Sequence, residues 1–283
     1  MKTPAFLTAE WRHLVMLNYV VEPEILRPLV PEGTELDFYG GKTFLSMVGF
    51  QFSRTRIFGI SIPLHTEFEE VNLRFYVRRR ESGEWRRGVV FVREIVPRRA
   101  IAFVARAFYG EPYIALPMRR VISISESELQ LRYEWKYAGR WNFLRATAQG
   151  EPAIVECGSE DEFITEHYWG YTARPTSVRE YQVEHPCWRV WRAADAELDC
   201  DVAAVYGEPF VEALSWPPSS ALIADGSAVL VRSRTELQEA LPLPARAVVA
   251  TGARASLTPQ GSARDARRIW NDFFGGRAMV IQD

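Results

Sequence analysis

The chain has 283 residues, 34 Lys and Arg against 36 Asp and Glu, and a formal net charge of −2, with 47% hydrophobic and 25% charged residues. This balance excludes a disordered or collagen-like polymer and provides apolar mass for a large core. It also leaves no net field that would select nucleic acid or an anionic membrane, so neither is expected as a partner.

Cys157, Cys187 and Cys200 form no C-x-x-C pair and leave an odd count, which points to a reducing compartment. The opening MKTPAFLTAEW has no apolar core of signal-peptide length, and no later run is long enough to span a bilayer. A cytoplasmic protein is expected.

In chain order, Trp11 to Val21 reads as a strand, and Pro23 to Val30 as a short helix stopped by Pro31. Glu35 to Tyr39 and Thr43 to Phe52 flank Gly40-Gly41, a pair suited to the positive φ angles of a hairpin turn. Further strands are predicted at Glu69 to Arg79, Gly88 to Ile95, Ile101 to Phe108, Arg119 to Ser125, Glu128 to Tyr137 and Phe143 to Gln149. Asp161 to Tyr168 reads as a short helix, and Val178 to Trp191 and Pro209 to Val231 as closing strands. Regular short strands separated by turns predict an antiparallel sheet or barrel.

Pro242 and Pro244 then suggest a linker before a helix at Ala263 to Phe274, capped by Ser262 and Gly275, whose Ile269, Trp270 and Phe273 share one face. That face docks either on the chain's own strands or on a partner, including a second copy of the chain. The expected organisation is one domain over residues 1–240 and a helical extension over 241–283.

Familiar motifs are absent. Gly41-Lys42-Thr43 has Leu36 where a phosphate loop needs its first glycine, and there is no G-x-G-x-x-G, G-x-S-x-G or H-E-x-x-H. His13, His65, His167 and His185 include no i, i+4 pair for zinc, so neither a metal nor a cofactor is predicted. Arg78-Arg79-Arg80 reads as a solvated strand end, and Cys187, near His185, as a structural thiol.

The most informative stretch is Glu70 to Val77, E-V-N-L-R-F-Y-V, where polar residues alternate strictly with apolar ones. A strand then shows two faces, one carrying Glu70, Asn72, Arg74 and Tyr76. This set is either solvated surface or the lining of an enclosed cavity.

E-x-N-x-R-x-Y-V, with Trp11, Asn18, Pro31, Asp37 and Ala224-Asp225-Gly226-Ser227, resembles the YqjF-like family of uncharacterised bacterial proteins, within the acetoacetate decarboxylase-like superfamily. The resemblance covers about Trp11 to Arg234. It implies a mainly β (α+β) fold, a barrel around a buried cavity in which a lysine of the decarboxylases forms a Schiff base.

Carried over residue by residue, the resemblance puts Arg12 on the cavity arginine and Glu70 on a cavity glutamate. It puts Met118, beside Arg119, where the Schiff-base lysine belongs. A thioether forms no imine and arginine holds its proton, so covalent decarboxylation is not expected; Lys42 and Lys136 fall in a turn and near a strand end. Arg12 is then either a carboxylate clamp or the ion-pair partner of Glu70, and Glu70 an acid or base if burial raises its pKa. Met118 and Arg119 count as ligand-binding candidates with Arg12, Asn72, Arg74, Tyr76 and Tyr168. Tyr168 and Tyr171 either close a cavity mouth or simply pack, and His167 replaces a usual arginine. Two function classes follow: a protein that binds a small organic acid without Schiff-base chemistry, or a noncatalytic interaction module.

Overall fold

The computed structural model describes residues 3–237. The expected helix at Ala263 to Phe274 and the extension over 241–283 lie outside the described residues.

The fold is mainly β. Strand β1 spans Ala5–Val21, β2 Glu35–Leu36, β3 Thr43–Ile57, β4 Ile60–Ser61, β5 Phe68–Glu81, β6 Glu84–Val96, β7 Tyr113–Ala115, β8 Met118–Ile124 and β9 Glu128–Tyr137. It continues with β10 Arg140–Gln149, β11 Ala153–Ile154, β12 Trp169–Arg174, β13 Ser177–Glu184, β14 Arg189–Arg192, β15 Asp195–Asp199, β16 Ser220–Arg232 and β17 Thr235–Leu237. The helices are short: α1 Pro23–Leu26, α2 Arg99–Phe108, α3 Glu160–Thr165, α4 Val202–Val205 and α5 Val211–Ser215.

Thirteen strands form one sheet whose path runs β16-β1-β3-β5-β6-β12-β13, and β13 pairs back to β16 through Val183↔Val231 and Glu184↔Leu230. Seven strands therefore form a closed circuit of hydrogen-bonded neighbours. A second, four-stranded antiparallel sheet, β15-β10-β9-β8, covers its outer face.

The alternation along β5 assigns the two faces. Leu73 and Phe75 pack outward with Val15 and Leu17 of β1, Met47 of β3, Leu131, Tyr133 and Trp135 of β9 and Leu144 of β10. Tyr76 lies in the other cluster with Leu14, Met16, Val48, Phe50, Phe68 and Ala224, inside the circuit. Both faces of β5 are buried, so its polar set is not solvated surface.

Three expected elements differ. Ile101 to Phe108, predicted as a strand, belongs to helix α2: its β-branched and aromatic residues favour a strand locally, but Ile101, Val104, Ala105 and Phe108 repeat at helical spacing, and Ile101, Val104 and Phe108 bury against the core. Val178 to Trp191 divides into β13 and β14 at His185-Pro186-Cys187, because the chain changes partners along β16. Pro209 to Val231 starts as a helical turn at Glu208–Phe210 and α5, and Pro217-Pro218 delay the strand until Ser220.

Candidate functional site

Register puts a row of polar side chains on the inward face. Asn72 of β5 stands opposite Glu94 of β6, and Glu94 opposite Tyr113 of β7. Glu70, two residues before Asn72, shares its face; Asn72 Nδ2 donates to Glu70 Oε1 at 3.0 Å and the Tyr113 hydroxyl to Glu70 Oε2 at 2.8 Å. A third carboxyl comes from Glu111, in the turn between α2 and β7, whose Oε1 accepts from Thr172 Oγ1 of β12 at 2.6 Å and the Tyr181 hydroxyl of β13 at 3.0 Å. Gly170 makes room for that tyrosine, since an added Cβ would lie 2.2 Å from Tyr181 Cζ. The site thus joins β5 and β6 to β12 and β13.

All three carboxyls are at most 3% exposed. Burial pushes Glu70 up to about 7 against the pull of Asn72, Tyr113 and the Arg74 charge. Burial also takes Glu111 to about 7, against its bonds from Thr172 and Tyr181. Glu94 is raised well above the ordinary carboxylate range, first by burial and then by the charges of Glu111 and Glu70. Carboxyls poised in this way hold or pass a proton near neutral pH. Among the described residues no group of His, Cys, Asp or Glu is arranged to hold a metal ion.

A second polar chain lines the same interior. Ser46 Oγ donates to Asn18 Oδ1 at 2.7 Å and lies 2.7 Å from the Tyr76 hydroxyl, while Asn18 Nδ2 donates to Ser220 Oγ at 3.1 Å. The Tyr76 ring lies 4.7 Å from that of His167, and His167 Nε2 lies 3.2 Å from Asp37 Oδ2. Between the two polar groups Arg74 donates to the Ile164 carbonyl at 3.3 Å, and its Nε is buried without a partner.

The structure brings Glu70, Asn72, Arg74 and Tyr76 together and places the other expected site residues elsewhere. Arg12 pairs with Glu10 at 3.0 Å rather than with Glu70, and its side chain is 40% exposed. The cause is a bulge at His13, φ 55°, which breaks the alternation of β1: Trp11 and Leu14 are inward, so Arg12 is not. Met118 opens β8 in the outer sheet and packs in the interlayer core, and Arg119 pairs with Glu134 over the Trp141 ring. The member of this segment that reaches Glu70 is Tyr113. Tyr168 donates to Glu166, which also accepts from Cys187 Sγ at 3.2 Å, and its ring lies 4.8 Å from that of His185. An open groove of about 540 Å³ at the other sheet, lined by Arg140, Asp199, Cys200 and Leu214, takes no part in the site.

The sequence reading missed Glu94, Glu111 and Tyr113. Glu94 had one signal, a lone acid inside the apolar run Val89 to Val96; Glu111, in a turn, had none.

The profile of DUF2071, an uncharacterised conserved protein, matches residues 8–228. The chain belongs to the DUF2071 family. A curated relative of this DUF2071 chain, the uncharacterised protein YqjF of Bacillus subtilis (strain 168), is 26% identical over 197 residues, 66% of this chain and 76% of the relative. Among solved structures, the acetoacetate decarboxylase of Legionella pneumophila subsp. pneumophila str. Philadelphia 1 superposes with a TM-score of 0.58 at 14% identity, over 86% of this chain and 91% of that one. The enduracididine biosynthesis enzyme MppR complexed with pyruvate gives 0.60 at 11% identity, over 83% and 91%. An acetoacetate decarboxylase-like enzyme from Sphingomonas wittichii RW1 gives 0.56 at 13% identity, over 83% and 94%. At these identities the likeness establishes an acetoacetate decarboxylase-like fold for DUF2071, and no activity.

Proposed function

We propose that this chain binds a small organic acid inside the closed strand circuit, which we take to enclose the lumen of a decarboxylase-like barrel. Arg74 holds the carboxylate, and Glu70 exchanges a proton with the ligand. The observation that carries the reading is a set of inward side chains with buried atoms that find no partner: Asn72 Oδ1, Arg74 Nε and Glu94 Oε2. Buried polar groups are nearly always satisfied, and three such atoms along one polar face suit a ligand that completes them. A planar guanidinium is matched to a carboxylate. That MppR was crystallised with pyruvate makes a short oxo acid a sensible first probe.

The proposed chemistry is independent of lysine. Lys42 is exposed in the turn at the start of β3, and Lys136 is exposed beside the Trp141 ring, so neither of these amines faces Glu70.

The test is a thermal-shift titration with pyruvate and acetoacetate on the wild type, Arg74→Gln and Glu70→Gln, alongside borohydride reduction in the presence of pyruvate. Ligand at a hundredfold over its Kd adds roughly 2.7 kcal/mol. The expected result is a rise of several degrees that Arg74→Gln abolishes, no covalent adduct by mass, and a pH dependence of the shift that Glu70→Gln reduces. No shift with either acid, or a reduced adduct on a lysine, overturns the reading.

A further inference from the structure

Seven acidic side chains are buried in the described core, and four of them have a cation at hand: Asp37 has Arg87, Glu134 has Arg119 and Arg132, Asp161 has Arg192, and Glu180 has Arg79 and Arg86. Glu70, Glu94 and Glu111 make no ion pair among the described residues, although the charges of Glu70 and Glu111 act on Glu94 and that of Glu70 on Glu111. Their partners are neutral donors, two on Glu70 and two on Glu111, and Glu94 Oε2 is buried with none. We propose that the Glu70, Glu94 and Glu111 trio receives the cationic end, an ammonium or guanidinium group, of an acid that carries both charges. The inference rests on the reading that Arg74 takes the carboxylate.

Neutral donors on carboxyl oxygens favour the ionised form without cancelling its charge. Glu70 and Glu111 are arranged in this way as acceptors, and the unpartnered oxygen of Glu94 is the place left for an N–H from a ligand. A second anion would be repelled here. An inorganic cation fits poorly, since none of the described acidic groups has the arrangement of a metal site; an organic cation brings its own directed N–H donors. Glu70 and Arg74 lie four residues apart on one strand face, about 13 Å between Cα atoms at ~3.3 Å per residue, so the two charges of the ligand belong at opposite ends of a short chain.

Binding of a cation is linked to protons. Glu94 faces Glu70 of β5, Glu111 of the turn before β7, Tyr113 of β7 and Tyr181 of β13, with Arg74 and Arg179 acting on Glu70 and Glu111 through charge. A bound cation replaces protons held among the three carboxyls, so binding releases protons and strengthens as pH rises.

The experiment is isothermal titration of the full chain with 4-aminobutanoate and arginine, against butanoate, at pH 6, 7 and 8. Enthalpies at pH 7 are compared in phosphate and Tris, which reports protons released without any variant. The expected result is that at least one of the amine-bearing acids binds tenfold or more tighter than butanoate, releases protons, and gains about tenfold between pH 6 and 8. Glu94→Gln should lower the number of protons released and flatten the pH dependence, and Arg74→Gln should weaken all three acids. Butanoate binding as tightly as both amine-bearing acids, or proton uptake, overturns the cation inference and leaves the Arg74 reading in place. Binding of none of the three, or indifference to Arg74→Gln, overturns both.

Discussion

His167 Nε2 lies 3.2 Å from Asp37 Oδ2, and Arg87 Nε donates to the same oxygen at 2.7 Å. Both members of the pair are buried. Burial pushes His167 down to about 4, more than the Asp37 carboxylate raises it. Burial by itself would raise Asp37, but the bonds from His167 and Arg87 outweigh it and hold the carboxyl below its ordinary value. The imidazole is therefore neutral at pH 7, and the tautomer with hydrogen on Nε2 donates to the carboxylate.

An unfolded histidine takes a proton near 6.5 and the folded one only near about 4, so between these values the unfolded chain binds more protons and acid favours unfolding. A displacement of this size corresponds to about 3 kcal/mol. Urea midpoints of wild type and His167→Gln should converge as pH falls from 6.5 to 4, the wild type losing up to that amount relative to the variant. Asp37 adds a further loss below its own ordinary value. Parallel midpoints across the range would show that burial does not lower the His167 pKa.

The carboxyl trio tilts stability the other way. Glu70 and Glu111 are held near about 7 and Glu94 well above its ordinary value, whereas each ionises near 4.5 when unfolded. From pH 4.5 to 7 the unfolded chain therefore binds fewer protons, and raising the pH favours unfolding. Glu94→Gln, uncharged in both states, should be more stable than wild type at pH 8 and show no such gain at pH 4.5. Because this slope overlaps that of His167, the two variants separate them where a single wild-type curve cannot. Glu94→Gln less stable than wild type at pH 8 would mean that the ionised trio is compensated by a charge.

The face of the site was legible and its membership was not. Alternation over Glu70 to Val77 named four residues that share one interior face, because period two survives wherever a strand is regular. Arg12 was misplaced because one bulged residue, His13, inverts the pattern, and nothing in W-R-H-L announces it. Met118 was favoured by a resemblance across α2, where a strand was expected and a helix stands, so distances along the chain did not translate into positions. Glu94 and Glu111 are separated by seventeen residues and meet only through the parallel β6 and β7 pair and the closing of the circuit at β12 and β13. Such meetings leave no spacing to read.

Tyr113 donates its hydroxyl proton to Glu70 Oε2 at 2.8 Å and stands opposite Glu94 across the β6 and β7 pair. Tyr113→Phe leaves Glu70 with the Asn72 bond alone, so its pKa should rise further above its ordinary value and the protein should lose about 1–2 kcal/mol for the missing hydrogen bond. An infrared titration of carboxyl bands, with Glu70→Gln to assign the band, reads the first effect, and a thermal melt the second. An unmoved Glu70 band would separate Tyr113 from the site.

Gly226 faces Arg12 across the β1 and β16 pair, next to the bulge that turns Arg12 away from the interior. Its φ is +79°, and an added Cβ would lie 1.9 Å from the Trp11 carbonyl oxygen and 2.7 Å from Leu14 Cδ1. Backbone is the near obstacle, and the Tyr133 hydroxyl, donating to the His13 carbonyl at 2.8 Å, pins the same bulge from the outer sheet. The strand pair therefore has little freedom to yield. Left-handed strain and overpacking together put the cost of Gly226→Ala on the order of 3 kcal/mol, about 6–12 °C in Tm for a domain of this size. Ser227→Ala, which removes the acceptor of the 2.9 Å bond from Trp188 Nε1 and the donor to the Ala228 carbonyl without touching the bulge, should cost about 1 kcal/mol. Equal melting points for the two variants would mean that the bulge relaxes, and Arg12 would then be free to turn inward toward the carboxyls.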